Sequence, residues 1–233
     1  MAQDDFTPTP MELRSTLRKD VTEILRQAII DGTLAPGAEL NQAQIAEKLQ
    51  ISRGPVREAL GQLEQEGLIR NVPYKGVYVT ELTEKYVEEL YSLRSALETF
   101  ALTRGMAHFK SEDLQHLHQI IDEMRKMAQI QDGEQLVNLD LQFHRYIVEK
   151  SDHELLINLW KLLEVGVRRC LRTRHQIYRS LAEVIGSHPA LVEAIAEQNQ
   201  TLVNQILHDH IMESGEQIIR RWRPQHSSEE QEA

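Results

Sequence analysis

Apolar residues recur at helical spacing from Leu13 to Asp31, where Leu17, Val21, Ile24, Leu25, Ala28 and Ile29 share one side of a predicted helix. The pattern stops at Asp31-Gly32, and Pro36-Gly37 marks a loop. Residues 41–49 form a second, short amphipathic helix with Ile45, Ala46 and Leu49 inward. A third opens near Ser52, an N-cap residue type, with Pro55 in a first turn that needs no amide donor. Val56, Leu60 and Leu63 give it a buried stripe. Leu68-Ile69-Arg70 and Gly76-Val77-Tyr78-Val79 then read as short strands, with residues 71–75 as the hairpin tip.

Three helices and a hairpin in about 70 residues describe a winged helix-turn-helix. After Thr80 the beta patterning ends, and Thr83 can cap a new helix. Helical periods follow at about 83–107, 111–130, 134–150, 153–176, 178–198 and 200–222. The expected fold is therefore mainly α. A winged helix-turn-helix (11–80) precedes an all-α bundle (81–224), with disordered tails at 1–10 and 225–233.

Arg53 and Arg57 lie four apart, on a face other than that of Val56, at the start of the third helix. In a helix-turn-helix those positions reach base edges, and a guanidinium matches guanine O6 and N7. The plainer alternative is a solvated face paired with Glu58 and Glu64. Bulk charge leaves both open: the net charge is −10, but residues 1–80 hold 9 basic and 11 acidic side chains against 17 and 25 in the remainder. A near-neutral reader on an acidic body suits site-specific rather than nonspecific DNA binding. Cys170 is the single cysteine, so no internal disulfide forms. No signal peptide or spanning apolar run is visible, so a soluble, cytoplasmic chain without membrane contact is expected.

In the bundle, Asp140 and His144 lie one turn apart on one face; His188 and His210 are isolated in sequence. Such a set can grip an ion, but a lone helical histidine is more often a packed or surface residue. His208 should face away from His210, and His108, His116, His118, His153, His175 and His226 are read as exposed. Arg94 can pair with Glu98, four residues on, or with a bound carboxylate. The run Arg168-Arg169, Arg172 and Arg174 either lines a cavity or faces solvent.

Ser52-Arg53-Gly54-Pro55-Val56-Arg57-Glu58-Ala59-Leu60, then Leu63-Glu64, Glu66-Gly67-Leu68 and Gly76-Val77-Tyr78-Val79, resemble the GntR family of bacterial transcription regulators from about Leu13 to Thr80. The resemblance implies that Arg53 and Arg57 contact operator DNA and that the wing at Lys75-Gly76 approaches the minor groove. Two positions depart from it. Gln50 stands where the turn often has glycine and is expected in a left-handed or distorted conformation. Ala43 replaces an arginine of some relatives, leaving Gln42 and Gln44 as substitutes. With Ser52, the expected DNA-contacting set is Ser52, Arg53, Arg57, Gln42, Gln44, Lys75 and Gly76.

Glu89-Leu90-Tyr91, Leu93-Arg94, Leu97-Glu98, Asp140, Phe143-His144, His188 and His210 resemble the FCD effector-binding domain of the FadR-type branch. That resemblance implies a helical bundle around a cavity in which Asp140, His144, His188 and His210 hold a divalent ion: Zn, Ni, Mn or Fe. Open coordination positions would then receive an effector carboxylate, with Arg94 as its partner and Glu98 behind a metal histidine. The expected function is that of a homodimeric, operator-binding regulator, a repressor modulated by a small organic acid. A regulator with a metal-free acyl pocket or a purely structural metal is the alternative. A metal-dependent hydrolase is a remote one, since no HExxH, Walker loop or nucleophile elbow is present.

Overall fold

The computed structural model describes residues 12–175 and 181–226. The expected tails lie outside these residues, except for 225–226. The chain divides into two compact units between Glu81 and Leu82.

In the first unit, α1 (Glu12–Ile30), α2 (Gln42–Lys48) and α3 (Arg53–Gln65) precede β1 (Ile69–Val72) and β2 (Gly76–Val79). Val21, Leu25 and Ile29 of α1 pack with Ala46, Val56, Leu60, Leu63, Leu68 and Val79 in the buried core. Leu17 and Ile24, expected on the same side, are exposed. They lie seven residues apart, on a stripe next to the buried one. Arg26 fastens α1 to the end of α3 through two contacts with Glu66, at 2.9 and 2.7 Å.

The turn between α2 and α3 places Gln50 at φ +54°, as expected. Asn41 caps α2: its Oδ1 accepts from the amides of Ala43 and Gln44 at 2.9 and 3.2 Å. Ser52 has the extended backbone of an N-cap, but its hydroxyl makes no capping hydrogen bond. The capping expected from its residue type is thus absent. β1 runs to Val72, two residues beyond the expected strand, and pairs antiparallel with β2 from Ile69↔Val79 to Val72↔Gly76. The loop after α1 adds a third edge, since Leu40 N donates to Val77 O at 2.7 Å and Val79 N donates to Ala38 O at 2.9 Å. Long-range pairing of this kind leaves no periodic trace in a loop sequence.

The second unit holds α4 (Glu84–Gly105), α5 (Ser111–Gln129), α6 (Gly133–Glu149), α7 (Glu154–His175), α8 (His188–Ala196) and α9 (Gln200–His226). Thr83 caps α4 by accepting from Tyr86 N at 3.1 Å. The continuous helix expected over 178–198 is not formed. A 3₁₀ turn at Leu181–Val184 is followed by Gly186 at φ +38°, and α8 starts afresh at His188 with Pro189 in its first turn. Residues 178–180 lie outside the described set.

One large apolar core, including Val87, Leu102, Leu117, Ile121, Leu136, Phe143, Leu171, Val192, Leu207 and Ile211, joins all six helices. α9 approaches α4 closely at Gly215, where an added Cβ would lie 2.9 Å from Cγ of Tyr91. That approach sets α9 alongside the buried face of α4.

Candidate metal centre and nucleic-acid interface

α3 carries Arg53 and Arg57 on its exposed side. Neither makes an ion pair among the described residues, so the salt-bridged alternative with Glu58 and Glu64 is not realised. Glu64 Oε1 instead accepts from Asn71 N at 3.3 Å. Ser52, Gln44 and Lys75 are exposed, while Gln42 and Gly76 are half-buried. Tyr78 Oη donates to Lys75 O at 3.0 Å and braces the wing tip. Tyr74, not singled out from sequence, is fully exposed at that tip with φ +64°.

The second unit gathers charge inside its core. On α4, Arg94 and Glu98 follow the i, i+4 stripe of Leu90, Tyr91, Ala101 and Leu102, and both are buried. On α6, Asp140 and His144 interrupt the buried run of Val137, Leu141, Phe143 and Ile147. His188 is the first residue of α8, and His210 lies one turn after Leu207 on α9. One ligand atom from each of Asp140, His144, His188 and His210 falls within 4.8 Å of all the others. Three of the four are buried and His210 is half-buried. Burying such groups is costly unless each is satisfied, so the cluster calls for a physical reason.

The hydrogen bonds supply one, with ring protons assigned from the network. His144 Nδ1 lies 2.6 Å from Glu98 Oε2, and His188 Nδ1 lies 2.7 Å from Ile185 O. A carboxylate and a carbonyl only accept, so each Nδ1 bears the proton and each Nε2 turns inward. His210 Nδ1 meets Ser187 Oγ at 3.0 Å, which leaves its Nε2 3.2 Å from His144 Nε2. His188 Nε2 sits 3.3 Å from Asp140 Oδ1, yet it and Asp140 Oδ2 have no hydrogen-bond partner. Three imidazole nitrogens and a carboxylate thus converge with their outer atoms held, a donor set that fits a borderline divalent cation.

The electrostatics agree. Burial opposes ionisation of Asp140, but the surrounding His188, His144 and Arg94 side chains outweigh it and hold the carboxyl well below its usual range. Burial lowers His210 and His144, favouring the neutral ring that can act as a ligand. Glu98 is likewise held low, burial being outweighed by His144 and Arg94. Arg94 donates from Nε to Glu98 Oε1 at 2.7 Å, with its guanidinium 5.5 Å from the Trp160 ring and 5.8 Å from that of Tyr91. Its Nη2 has no partner. The pairing of Arg94 with Glu98 is thus formed, through Nε.

Other expectations fare unevenly. His208 is exposed, as expected, though its Nδ1 meets Ser95 Oγ at 3.0 Å. His116 and His153 are half-buried, against the rings of Tyr146 and Phe100. Arg169 is buried, and Arg168 bonds Asn138 and lies 3.7 Å from Glu164, so these do not form a solvated face. The side chain of Arg174 is outside the described set. Cys170 is buried, which pushes its thiol up to about 12 and makes it unreactive. Ser187 and the Ile185 carbonyl escaped sequence reading; the one signal was a serine placed just before His188 and Pro189.

Residues 17–79 match the bacterial regulatory proteins of the gntR family, and residues 89–213 match the FCD domain. The chain belongs to the GntR family. Like other GntR proteins it is a DNA-binding transcriptional regulator, and the family is one of regulators rather than enzymes. The chain is 28% identical over 203 residues to the gluconate operon transcriptional repressor of Bacillus subtilis, covering 85% of this chain and 83% of that protein. The fold is that of E. coli McbR/YncC, with TM-score 0.72, 23% identity, and coverage of 88% of this chain and 98% of that one. A GntR regulator from Rhodococcus sp. RHA1 aligns with TM-score 0.69 and 25% identity, over 88% and 98% of the two chains. GntR regulators bind operator DNA and are typically dimeric, and FCD domains commonly bind metal. No helix among the described residues is long and apolar enough to cross a membrane.

Proposed function

We propose that this regulator is a cytoplasmic, homodimeric repressor. Arg53 and Arg57 read the operator, helped by Ser52, Gln42, Gln44, Lys75 and Gly76. A small organic acid bound beside a divalent ion in the second unit governs DNA affinity. Two copies related by a two-fold axis present two recognition helices to a pseudo-palindromic site. Asp140, His144, His188 and His210 would hold the ion, which would supply a Lewis-acidic position for a carboxylate. Arg94 Nη2 receives the other side of that carboxylate, with Glu98 fixing both Arg94 and His144.

The observation that carries the sensing half is the group of buried, unpartnered atoms: Arg94 Nη2, Asp140 Oδ2 and His188 Nε2. A centre built for stability alone has no need of a free guanidinium nitrogen. Ligand control then requires different affinity for the acid in the DNA-competent and DNA-incompetent states. The relative's name, a repressor of a gluconate operon, supports repression by this chain.

The test uses DNA from upstream of the coding gene. The chain is chelated, reloaded with Zn, Ni, Mn or Fe(II), and its release from that DNA is followed with a panel of carboxylic acids. At least one acid should release the metal-loaded chain and fail on the chelated one. Release that is indifferent to chelation contradicts the metal-dependent reading.

A further inference from the structure

We propose that the mouth beside His210 reads the far end of the effector. It accepts an acid whose tail carries hydrogen-bond donors and turns away one that ends in a second carboxylate. This rests on the effector reading above and adds the class of acid.

A cavity of about 350 Å³ opens between α9 and the segment 183–187. That is within the usual size range of small-molecule sites. On α9, His210, Glu213, Ser214 and Gln217 fall at i, i+3, i+4 and i+7 and so share one face. Glu183 and Ser187 form the facing wall. Ser187 Oγ and His210 Nδ1, 3.0 Å apart, both line the cavity. The opposite nitrogen of that same ring faces the Asp/His centre. His210 is the residue common to the centre and the cavity lining, so an acid held at the centre would reach this cavity past the His210 ring.

The lining sets what those atoms can be. Glu183 has no hydrogen bond or ion pair among the described residues. Glu213 Oε1 accepts from Gln217 Nε2 at 3.1 Å, and its second oxygen makes no hydrogen bond among the described residues. Among the described residues, no lysine or arginine lines the cavity, and Val184 is the one large apolar side chain. Two carboxylates with spare acceptor capacity are matched by hydroxyl or ammonium donors. An alkyl tail would strip water from them without replacement, and a distal carboxylate would meet like charge. A site built to hydrogen-bond its ligand discriminates far more strongly than an apolar pocket does.

The experiment is calorimetric titration of the Zn-loaded full chain with D-gluconate, 6-aminohexanoate, hexanoate and D-glucarate. D-Glucarate differs from D-gluconate only in a terminal carboxylate in place of the terminal alcohol. At least one of the first two acids should bind about tenfold or more tighter than hexanoate and D-glucarate. Which of the two wins tells hydroxyl from ammonium. In the double variant Glu183→Gln, Glu213→Gln, both positions being exposed, the penalty on D-glucarate should shrink to about threefold or less. Equal binding of all four acids, or an undiminished penalty in the variant, overturns this inference and leaves the metal-and-acid reading standing. Binding of none of the four to the Zn-loaded chain overturns both.

Discussion

Glu98 ties Arg94 to His144 inside the bundle: one carboxylate oxygen accepts from Arg94 Nε at 2.7 Å, and the other lies 2.6 Å from His144 Nδ1. All three side chains are fully buried, or nearly so. The carboxylate therefore orients the Arg94 guanidinium and the His144 imidazole at once. In Glu98→Gln, the amide would present N–H to one of these partners. If it faces His144, the ring proton moves to Nε2 and points into the Asp/His centre. We expect metal affinity to fall by about 10–100-fold. Competition with a chromogenic chelator measures this, and unchanged affinity would remove Glu98 from the account.

The two helix starts of the DNA-reading unit should respond differently to alanine. Asn41 accepts from two amides, so Asn41→Ala should cost about 1 kcal/mol in chemical denaturation. Ser52 makes no capping bond, so Ser52→Ala should cost less than about 0.5 kcal/mol. Its hydroxyl, exposed beside Arg53, should matter to operator affinity instead. A Ser52→Ala variant as unstable as Asn41→Ala would show that the cap forms in solution.

Acid should act on the bundle through Asp113. Burial would raise its carboxyl. The bonds from Lys150, Tyr146 and the Lys110 amide outweigh that effect and hold it at about 2, below the ordinary 3.8. A folded-state value below the unfolded one stabilises above the unfolded value, and that stability is lost as pH falls through the folded one. The contribution is thus complete above about pH 4 and disappears towards pH 2. Asp113→Asn should remove about 1–2 kcal/mol at pH 7 and flatten the unfolding free energy between pH 4 and 2. An unaltered pH profile would contradict this.

Much of the site was legible because it obeys short-range rules. Asp140 and His144 share a face by helical spacing, and Arg53, Pro55 and Arg57 mark one helix start. Gln50 is left-handed because a tight turn demands it there. The failures have one cause in common, which is geometry decided by distant partners. Glu98 bridges α4 to α6 only because those helices pack together. The apolar period of 178–198 continues past Gly186, but Gly186 and the fresh helix start at His188 break the helix and turn the imidazole inward. Leu17 matched the stripe of α1 and yet faces out. The burial of Arg169 likewise depends on the path of α7 through the bundle.

Arg53 and Arg57, exposed at the start of α3 and without an ion pair among the described residues, are proposed to read DNA. Fluorescence anisotropy of a labelled duplex from upstream of the coding gene, at fixed salt, tests this with Arg53→Ala and Arg57→Ala. Each should lose about 1–3 kcal/mol of binding, roughly 5- to 150-fold, while the melting temperature stays at that of the unaltered chain. Undiminished affinity in both variants would contradict the account.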